Sequence, residues 1–154
     1  MKKLAIFDFD GTLVDTVHDV VTCLNGALDF HGFPTRVCDE IVNMFGGNIN
    51  EIISLVLEDN ATPENMELIK GTYTELYDKS PKERSIPFRG VHELLLNLQN
   101  DEMLIAINSN RSTDSIKMFT DKYFGDVDFL LIEGHYHKYP SKPNPVGVEK
   151  IIEK

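Results

Sequence analysis

The sequence has few cysteines, little positive charge and no long hydrophobic run, and each shortage excludes a class of protein. Only two cysteines, Cys23 and Cys38, occur in 154 residues, and neither lies in a CxxC or Cys/His pattern. We therefore expect reduced thiols, not a disulfide framework or a zinc site. The formal net charge of -10 disfavours nucleic acid as a partner, because no basic surface is available to bind phosphates.

No apolar stretch approaches the length that crosses a bilayer, and the amino-terminal Met-Lys-Lys precedes a strand pattern and not the apolar core of a signal peptide. We therefore expect a cytoplasmic protein with no membrane partner. The acidic balance also means that an anionic ligand needs a local positive site. A metal ion, a few basic residues or helix N-termini could supply it.

Residues 4–16, LAIFDFDGTLVDT, carry the strongest signal for function. Their first four residues, Leu4–Phe7, are all apolar, which predicts a short strand buried on both faces. Residues two apart on an extended backbone point the same way, so Asp8 and Asp10 can direct both carboxyl groups at one small volume, and Gly11 permits a sharp turn. Two carboxylates this close favour a shared divalent cation, most simply Mg²⁺. The alternative is an ordinary polar turn after a strand.

The next part of the chain is helical. Apolar residues at spacings of three and four predict four helices within residues 17–78. Asn48 with Glu51 forms a capping pair for the third helix, and Thr62 followed by Pro63 marks the start of the fourth. Four consecutive helices indicate a helical bundle.

Beyond a charged, proline-containing linker at residues 79–89, helices alternate with strands. Residues 103–107 and 129–132 are predicted strands, and Ser112 is a candidate cap for the helix between them. This alternation is typical of a parallel α/β sheet. The predicted organisation is an α/β core domain, residues 1–15 and 83–154, with an inserted helical cap domain, residues 16–82.

Two further candidate sites follow the later strands. Ser109 comes directly after the second core strand, where an open parallel sheet binds ligands, so its hydroxyl would lie beside the two aspartates if the strands are neighbours. A polar loop that caps the next helix is the alternative. Lys142 precedes Pro143, which favours an extended backbone and a fixed direction for the ammonium group, although most lysines are simply solvated.

Taken together, these motifs resemble the signatures of the haloacid dehalogenase superfamily of aspartate-nucleophile phosphotransferases, in its phosphoglycolate-phosphatase-like branch. FDFDGTLVDT resembles the first signature, Ser109-Asn110-Arg111 the second, and the KPNP that begins at Lys142 the third. The inserted helices resemble the C1 cap of the family, and residues 45–48 resemble its glycine-bearing loop. The resemblance implies a Rossmannoid parallel-sheet core with an inserted helical cap.

The resemblance also implies roles for individual residues. Asp8 would be the nucleophile that forms an aspartyl-phosphate, and Asp10 the acid/base that protonates the leaving group and activates water. Mg²⁺ would bind the Asp8 carboxylate and the Asp10 main-chain carbonyl. The implied catalytic residues are Asp8, Asp10, Ser109 and Lys142, and the implied phosphate-binding residues are Gly11, Ser109, Asn110 and Lys142.

The fourth signature of the family, an acidic loop that supplies another metal carboxylate, has no counterpart before Lys154. We therefore expect a core that is incomplete at its C-terminus, with impaired Mg²⁺ binding and turnover. We also expect an apolar edge at Leu4–Phe7 through which the chain could form a homo-oligomer. A portion of a longer phosphatase is the favoured explanation, and a natural short variant is the other.

The predicted function is a Mg²⁺-dependent phosphatase acting on a small phosphorylated metabolite, such as phosphoglycolate or a sugar phosphate. Two alternatives stay open at this point. One is an interaction or regulatory module that keeps the fold without the chemistry, and the other is a phosphomutase of the same fold.

Overall fold

The computed structural model describes residues 3–44, 47–135 and 139–154. The chain divides into two compact units, an α/β unit of residues 1–15 and 87–154 and a helical unit of residues 16–86. Each unit contains its own cluster of buried apolar side chains. No helix in the described ranges is long and apolar enough to cross a membrane.

The secondary structure follows the predicted change from helices to alternating strands and helices. A 3-10 turn at Glu58–Asn60 follows the third helix. In chain order the elements are β1 (Leu4–Phe7), β2 (Val14–Asp15), α1 (Val17–Phe30), α2 (Cys38–Val42), α3 (Ile49–Leu57), α4 (Pro63–Lys79), β3 (Ile86–Pro87), α5 (Val91–Asn100), β4 (Leu104–Asn108), α6 (Thr113–Tyr123), β5 (Phe129–Glu133) and α7 (Val146–Ile152).

The α/β unit is built on a three-stranded parallel sheet with the order β1, β4, β5. The register pairs Phe7 with Ile107 in β4, and Asn108 with Glu133 in β5. The carboxyl ends of all three strands therefore lie at one edge of the sheet. Strands β2 and β3 form a separate two-stranded sheet.

In the described part of the sheet, β1 is an edge strand, as the sequence predicted, and this position changes its burial. All four of its residues are half-buried, so the prediction of a strand buried on both faces was wrong. Apolar composition alone cannot show how many neighbours a strand has. By contrast, the central strand β4 is almost entirely buried.

In the helical unit, α1 and α4 pack against each other, and α3 packs against α4. The predicted caps of α3 and α4 are confirmed. Asn48 Oδ1 accepts hydrogen bonds from the N–H groups of Asn50 and Glu51, and Glu51 Oε2 accepts one from the Asn48 N–H. Thr62 Oγ1 accepts a hydrogen bond from the Asn65 N–H.

The structure places the second boundary between the units at 86/87, whereas the sequence analysis placed it at 82/83. Two polar contacts hold the chain on either side of position 83 in the helical unit. The Ser85 hydroxyl, which is fully buried, donates to Asp19 Oδ2 at 2.6 Å. Lys82, itself 7% exposed, donates through Nζ to the Tyr77 carbonyl at 2.6 Å.

Both cysteines are free thiols, and their surroundings differ. Cys23 lies in the core of the helical unit with 6% exposure, and burial raises the pKa of its thiol above the ordinary value. Cys38 at the start of α2 is only half-buried. Because the thiolate is the reactive form, a buried thiol with a raised pKa is protected from alkylation at neutral pH.

We predict that iodoacetamide at pH 7.5 modifies Cys38 at least roughly tenfold faster than Cys23, because Cys23 reacts only when the helical unit opens. The measurement is peptide mass spectrometry over a time course. In a Cys38→Ser variant, modification should be slow until denaturant is added. Equal rates at the two cysteines in the native protein would contradict the packing of α1.

Candidate active site

Asp8 follows β1 directly, and its two carboxylate oxygens have different surroundings. Oδ1 accepts a hydrogen bond from the Phe9 N–H at 2.7 Å and lies 2.7 Å from Lys142 Nζ. Oδ2 has no hydrogen-bond partner among the described residues, and the side chain is 43% exposed. One oxygen is therefore held by a cation, and the other is available to an incoming group.

A tight turn after Asp8 reverses the chain around the carbonyl of Phe9. This carbonyl accepts hydrogen bonds from three successive backbone N–H groups, those of residues 12, 13 and 14. Gly11 adopts φ 74, a conformation that favours glycine, and its N–H donates to the Val14 carbonyl at 2.9 Å. The contribution of Gly11 is therefore to permit the turn after Asp10. The predicted contact between Gly11 and phosphate stays a prediction.

Asp10 is bound by a side chain that the sequence analysis did not place in the acid pair. Arg111 Nε lies 3.0 Å from both carboxylate oxygens of Asp10, and Arg111 Nη2 lies 2.7 Å from Oδ1. The two side chains are largely shielded, with 11% of Arg111 and 21% of Asp10 exposed. Each of the two acids therefore has a basic partner of its own.

Ser109 lies at the end of β4, at the same sheet edge as Asp8. Its N–H donates to the Glu133 carbonyl at 3.0 Å, and its Oγ accepts a hydrogen bond from the Arg111 N–H at 3.1 Å. Ser109 as a whole is 4% exposed, and its O–H has no acceptor within the described ranges. A hydroxyl fixed in this way retains one donor for an oxygen that enters the site.

Asn110 binds the segment that carries Lys142. Its Oδ1 accepts a hydrogen bond from the Lys142 N–H at 2.7 Å, and its Nδ2 lies 3.5 Å from the Lys142 carbonyl. The peptide bond between Lys142 and Pro143 is cis. The side chain of Asn110 thus positions the lysine backbone, and its predicted contact with phosphate stays a prediction.

Close packing at the end of β5 holds the loop after β4. A Cβ on Gly134 would lie 2.6 Å from the Arg111 carbonyl and would also collide with the Thr113 N. The His135 N–H donates to the same Arg111 carbonyl at 2.8 Å. Only glycine allows this approach of two backbones, which fixes the position of Arg111.

Two further predictions concern the cap of α6 and the glycine-bearing loop. Ser112 occupies the N-cap position of α6 as predicted, but its side chain makes no capping hydrogen bond. The neighbouring Thr113 Oγ1 instead accepts a hydrogen bond from the Gly134 N–H at 3.1 Å. Phe45 and Gly46, half of the predicted glycine-bearing loop, lie outside the described residues.

The side chains present fit a divalent cation only in part. The carboxylate of Asp8 offers hard oxygens on a side chain that is 43% exposed, which suits Mg²⁺. The carboxylate of Asp10 does not suit it, because both of its oxygens already bind Arg111. Among the residues that the structure describes, no group of three His, Cys, Asp or Glu could hold a metal ion.

Comparison with known proteins places this site in a family. Residues 5–154 match the model of the haloacid dehalogenase-like hydrolases, and the chain belongs to that family. The phosphoglycolate phosphatase of Aquifex aeolicus is 26% identical over 151 residues, which is 98% of this chain and 69% of the relative. That of Vibrio cholerae is 26% identical over 160 residues, covering 99% of this chain and 70% of the relative.

Solved structures show the same fold. A candidate haloacid dehalogenase-like hydrolase from Bacteroides fragilis matches 99% of this chain and 72% of its own length, with a TM-score of 0.89 and 26% identity. A haloacid dehalogenase-like hydrolase from Streptococcus pneumoniae matches 99% of this chain and 69% of its own length, with a TM-score of 0.84 and 17% identity. The predicted fold class is therefore confirmed.

We predict that Gly134→Ala lowers the free energy of unfolding by about 1–3 kcal/mol, because the added methyl group overpacks the contact with the Arg111 backbone. The matched control is Gly71→Ala in α4, where no atom lies within 4 Å of the added Cβ. There the alanine should stabilise the protein by about 0.5–1 kcal/mol. Urea denaturation measures both, and equal effects would contradict the close packing at Gly134.

Proposed function

We propose that the protein is a phosphatase that hydrolyses a small phosphomonoester through an aspartyl-phosphate on Asp8. The observation that supports this most strongly is the pairing of Asp8 Oδ1 with Lys142 Nζ at 2.7 Å, which leaves Oδ2 without a hydrogen-bond partner in the described part of the chain. Relatives named phosphoglycolate phosphatase support a substrate of similar size and charge.

In the first step, Asp8 Oδ2 attacks the phosphorus of the ester. The bond from phosphorus to Oδ2 forms while the bond to the leaving oxygen breaks, and Asp10 in its protonated form donates its proton to that oxygen and becomes a carboxylate. The Ser109 hydroxyl donates to a phosphoryl oxygen, and the Lys142 ammonium offsets the negative charge of the nucleophile and the phosphoryl group together.

In the second step, water attacks the phosphorus of the aspartyl-phosphate. Asp10 accepts the proton of the water, the bond from phosphorus to Oδ2 breaks, and orthophosphate leaves. Asp8 returns to its free carboxylate, paired again with Lys142. Both proton transfers therefore depend on where the Asp10 carboxylate is held.

A divalent cation completes the proposal, with Mg²⁺ as the expected ion. The Asp8 carboxylate and the Asp10 main-chain carbonyl would hold it. When bound, it supplies positive charge to the transferring phosphoryl group. The carboxylate of Asp10 is left out of the ligand set, because Arg111 binds both of its oxygens.

We predict that the protein releases phosphate from p-nitrophenyl phosphate and 2-phosphoglycolate in the presence of Mg²⁺, and that EDTA abolishes the release. Asp8→Asn should reduce it to the level of an enzyme-free control, because an amide cannot act as the nucleophile. The measurement is a colorimetric phosphate assay on the purified chain.

Release that is unchanged in Asp8→Asn would contradict the proposal. Absence of release in both proteins would favour an interaction module, which keeps the fold without the chemistry. Transfer of the phosphoryl group to a second hydroxyl of a sugar phosphate, without free orthophosphate, would indicate a phosphomutase.

We also propose that a second copy of the chain pairs with the free edge of β1. The Leu104 N–H donates to the Lys3 carbonyl at 2.9 Å, so Lys3 faces β4. Because successive residues of a strand direct their backbone groups to opposite sides, Leu4 and Ile6 direct theirs to the free edge. Unpaired apolar edges favour strand addition from another chain.

Sedimentation equilibrium should therefore show an average mass that rises with protein concentration. Ile6→Pro removes an outward N–H without removing a hydrogen bond to β4, so this variant should stay monomeric. A wild-type protein that is monomeric at all concentrations would contradict the pairing, as would association that Ile6→Pro leaves unchanged.

A further inference from the structure

We infer that Arg111 is a positioning residue, which holds the carboxylate of Asp10 in the place from which it exchanges protons with the leaving group and with water. The inference rests on the proposed phosphatase function. It deepens that function, because it explains how the one carboxylate of Asp10 is correctly placed for proton transfer in both steps. It also assigns a role to a residue that the sequence identified only as part of the second signature.

The contacts of Arg111 define a fixed guanidinium. Two of its nitrogens bind Asp10 in a fork, and Nη1 donates to Ser115 Oγ at 2.9 Å. Its Cζ lies 5.9 Å from the ring centre of Phe9 and 5.7 Å from that of Phe119. Both rings are fully buried, so the planar group rests on a rigid surface.

The backbone of Arg111 is fixed as strongly as its side chain. Its N–H donates to Ser109 Oγ, and its carbonyl accepts from the His135 N–H. Gly134 packs directly against that carbonyl. Asp10 is therefore attached, through Arg111, to the ends of β4 and β5 as well as to its own strand.

This geometry requires arginine and not merely positive charge. The two parallel hydrogen bonds set both the distance and the plane of the Asp10 carboxylate, which a single ammonium group cannot do. Loss of the fork should leave Asp10 present but misplaced. Since Arg111 acts through Asp10, its loss should impair proton transfer more than substrate binding.

The test compares esters whose leaving groups need protonation to different degrees. p-Nitrophenolate leaves without a proton, whereas the alkoxide of 2-phosphoglycolate or glycerol phosphate needs one. We expect Arg111→Gln to lose roughly 10²-fold in kcat/KM on the alkyl esters and less than about tenfold on p-nitrophenyl phosphate, with KM little changed. The kcat/KM of Arg111→Lys on the alkyl esters should lie between those of Arg111→Gln and the wild type, closer to that of Arg111→Gln.

Arg89→Gln is the matched control, since Arg89 is an exposed arginine in the same unit. It should leave the ratio of kcat/KM between the alkyl esters and p-nitrophenyl phosphate unchanged. An equal loss on both classes in Arg111→Gln would overturn the inference, because a merely structural residue or a substrate-binding residue would act in that way. Melting temperatures of all variants show whether each one is folded.

A double-mutant cycle separates this inference from the proposed function. In an Asp10→Asn background, Arg111→Gln should cause little further loss of kcat/KM, because the carboxylate that Arg111 positions is already absent. Additive losses would overturn the positioning role. Absence of phosphate release from every ester would overturn the proposed function and the positioning role together. Normal release by the wild type, with the same ratio of kcat/KM between alkyl esters and p-nitrophenyl phosphate in Arg111→Gln, would overturn the positioning role alone.

Discussion

Charge compensation at the end of β1 is the constraint on which the site depends. Two acids separated by one residue would repel each other if they shared one small volume. The structure relieves this repulsion by giving each acid its own cation, Lys142 for Asp8 and Arg111 for Asp10. The two acids therefore differ in their surroundings. Asp8 keeps one oxygen available to an incoming group, while the carboxylate of Asp10 is held in a fixed plane.

The tripeptide after β4 organises both pairs. Ser109 Oγ accepts a hydrogen bond from the Arg111 N–H, Asn110 holds the backbone of Lys142, and Arg111 holds Asp10. Three successive side chains therefore act on three different partners, which explains why the loop needs such close support. Gly134 provides that support from β5, where a side chain would separate the two backbones.

The sequence predicted correctly those features that depend on interactions between residues close together in the chain. The caps at Asn48 and Thr62 were predicted correctly, because their donors and acceptors lie within three residues along the chain. The half-burial of β1 was missed because it depends on neighbours that a four-residue string does not specify. The pairing of Arg111 with Asp10 joins residues 101 apart, and the fork becomes evident only when the strands are in register. The signal that could have pointed to it was a guanidinium beside the candidate serine in a chain with few basic residues.

In the proposed mechanism Asp8 carries the phosphoryl group between the two steps. One measurement tests this directly. The protein is mixed with a ³²P-labelled phosphomonoester and Mg²⁺, quenched in acid within milliseconds to seconds, and digested for peptide mapping. The account predicts a hydroxylamine-sensitive acyl-phosphate on the peptide that contains Asp8. Label on any other residue, or phosphate release with no labelled protein at any time, would contradict it.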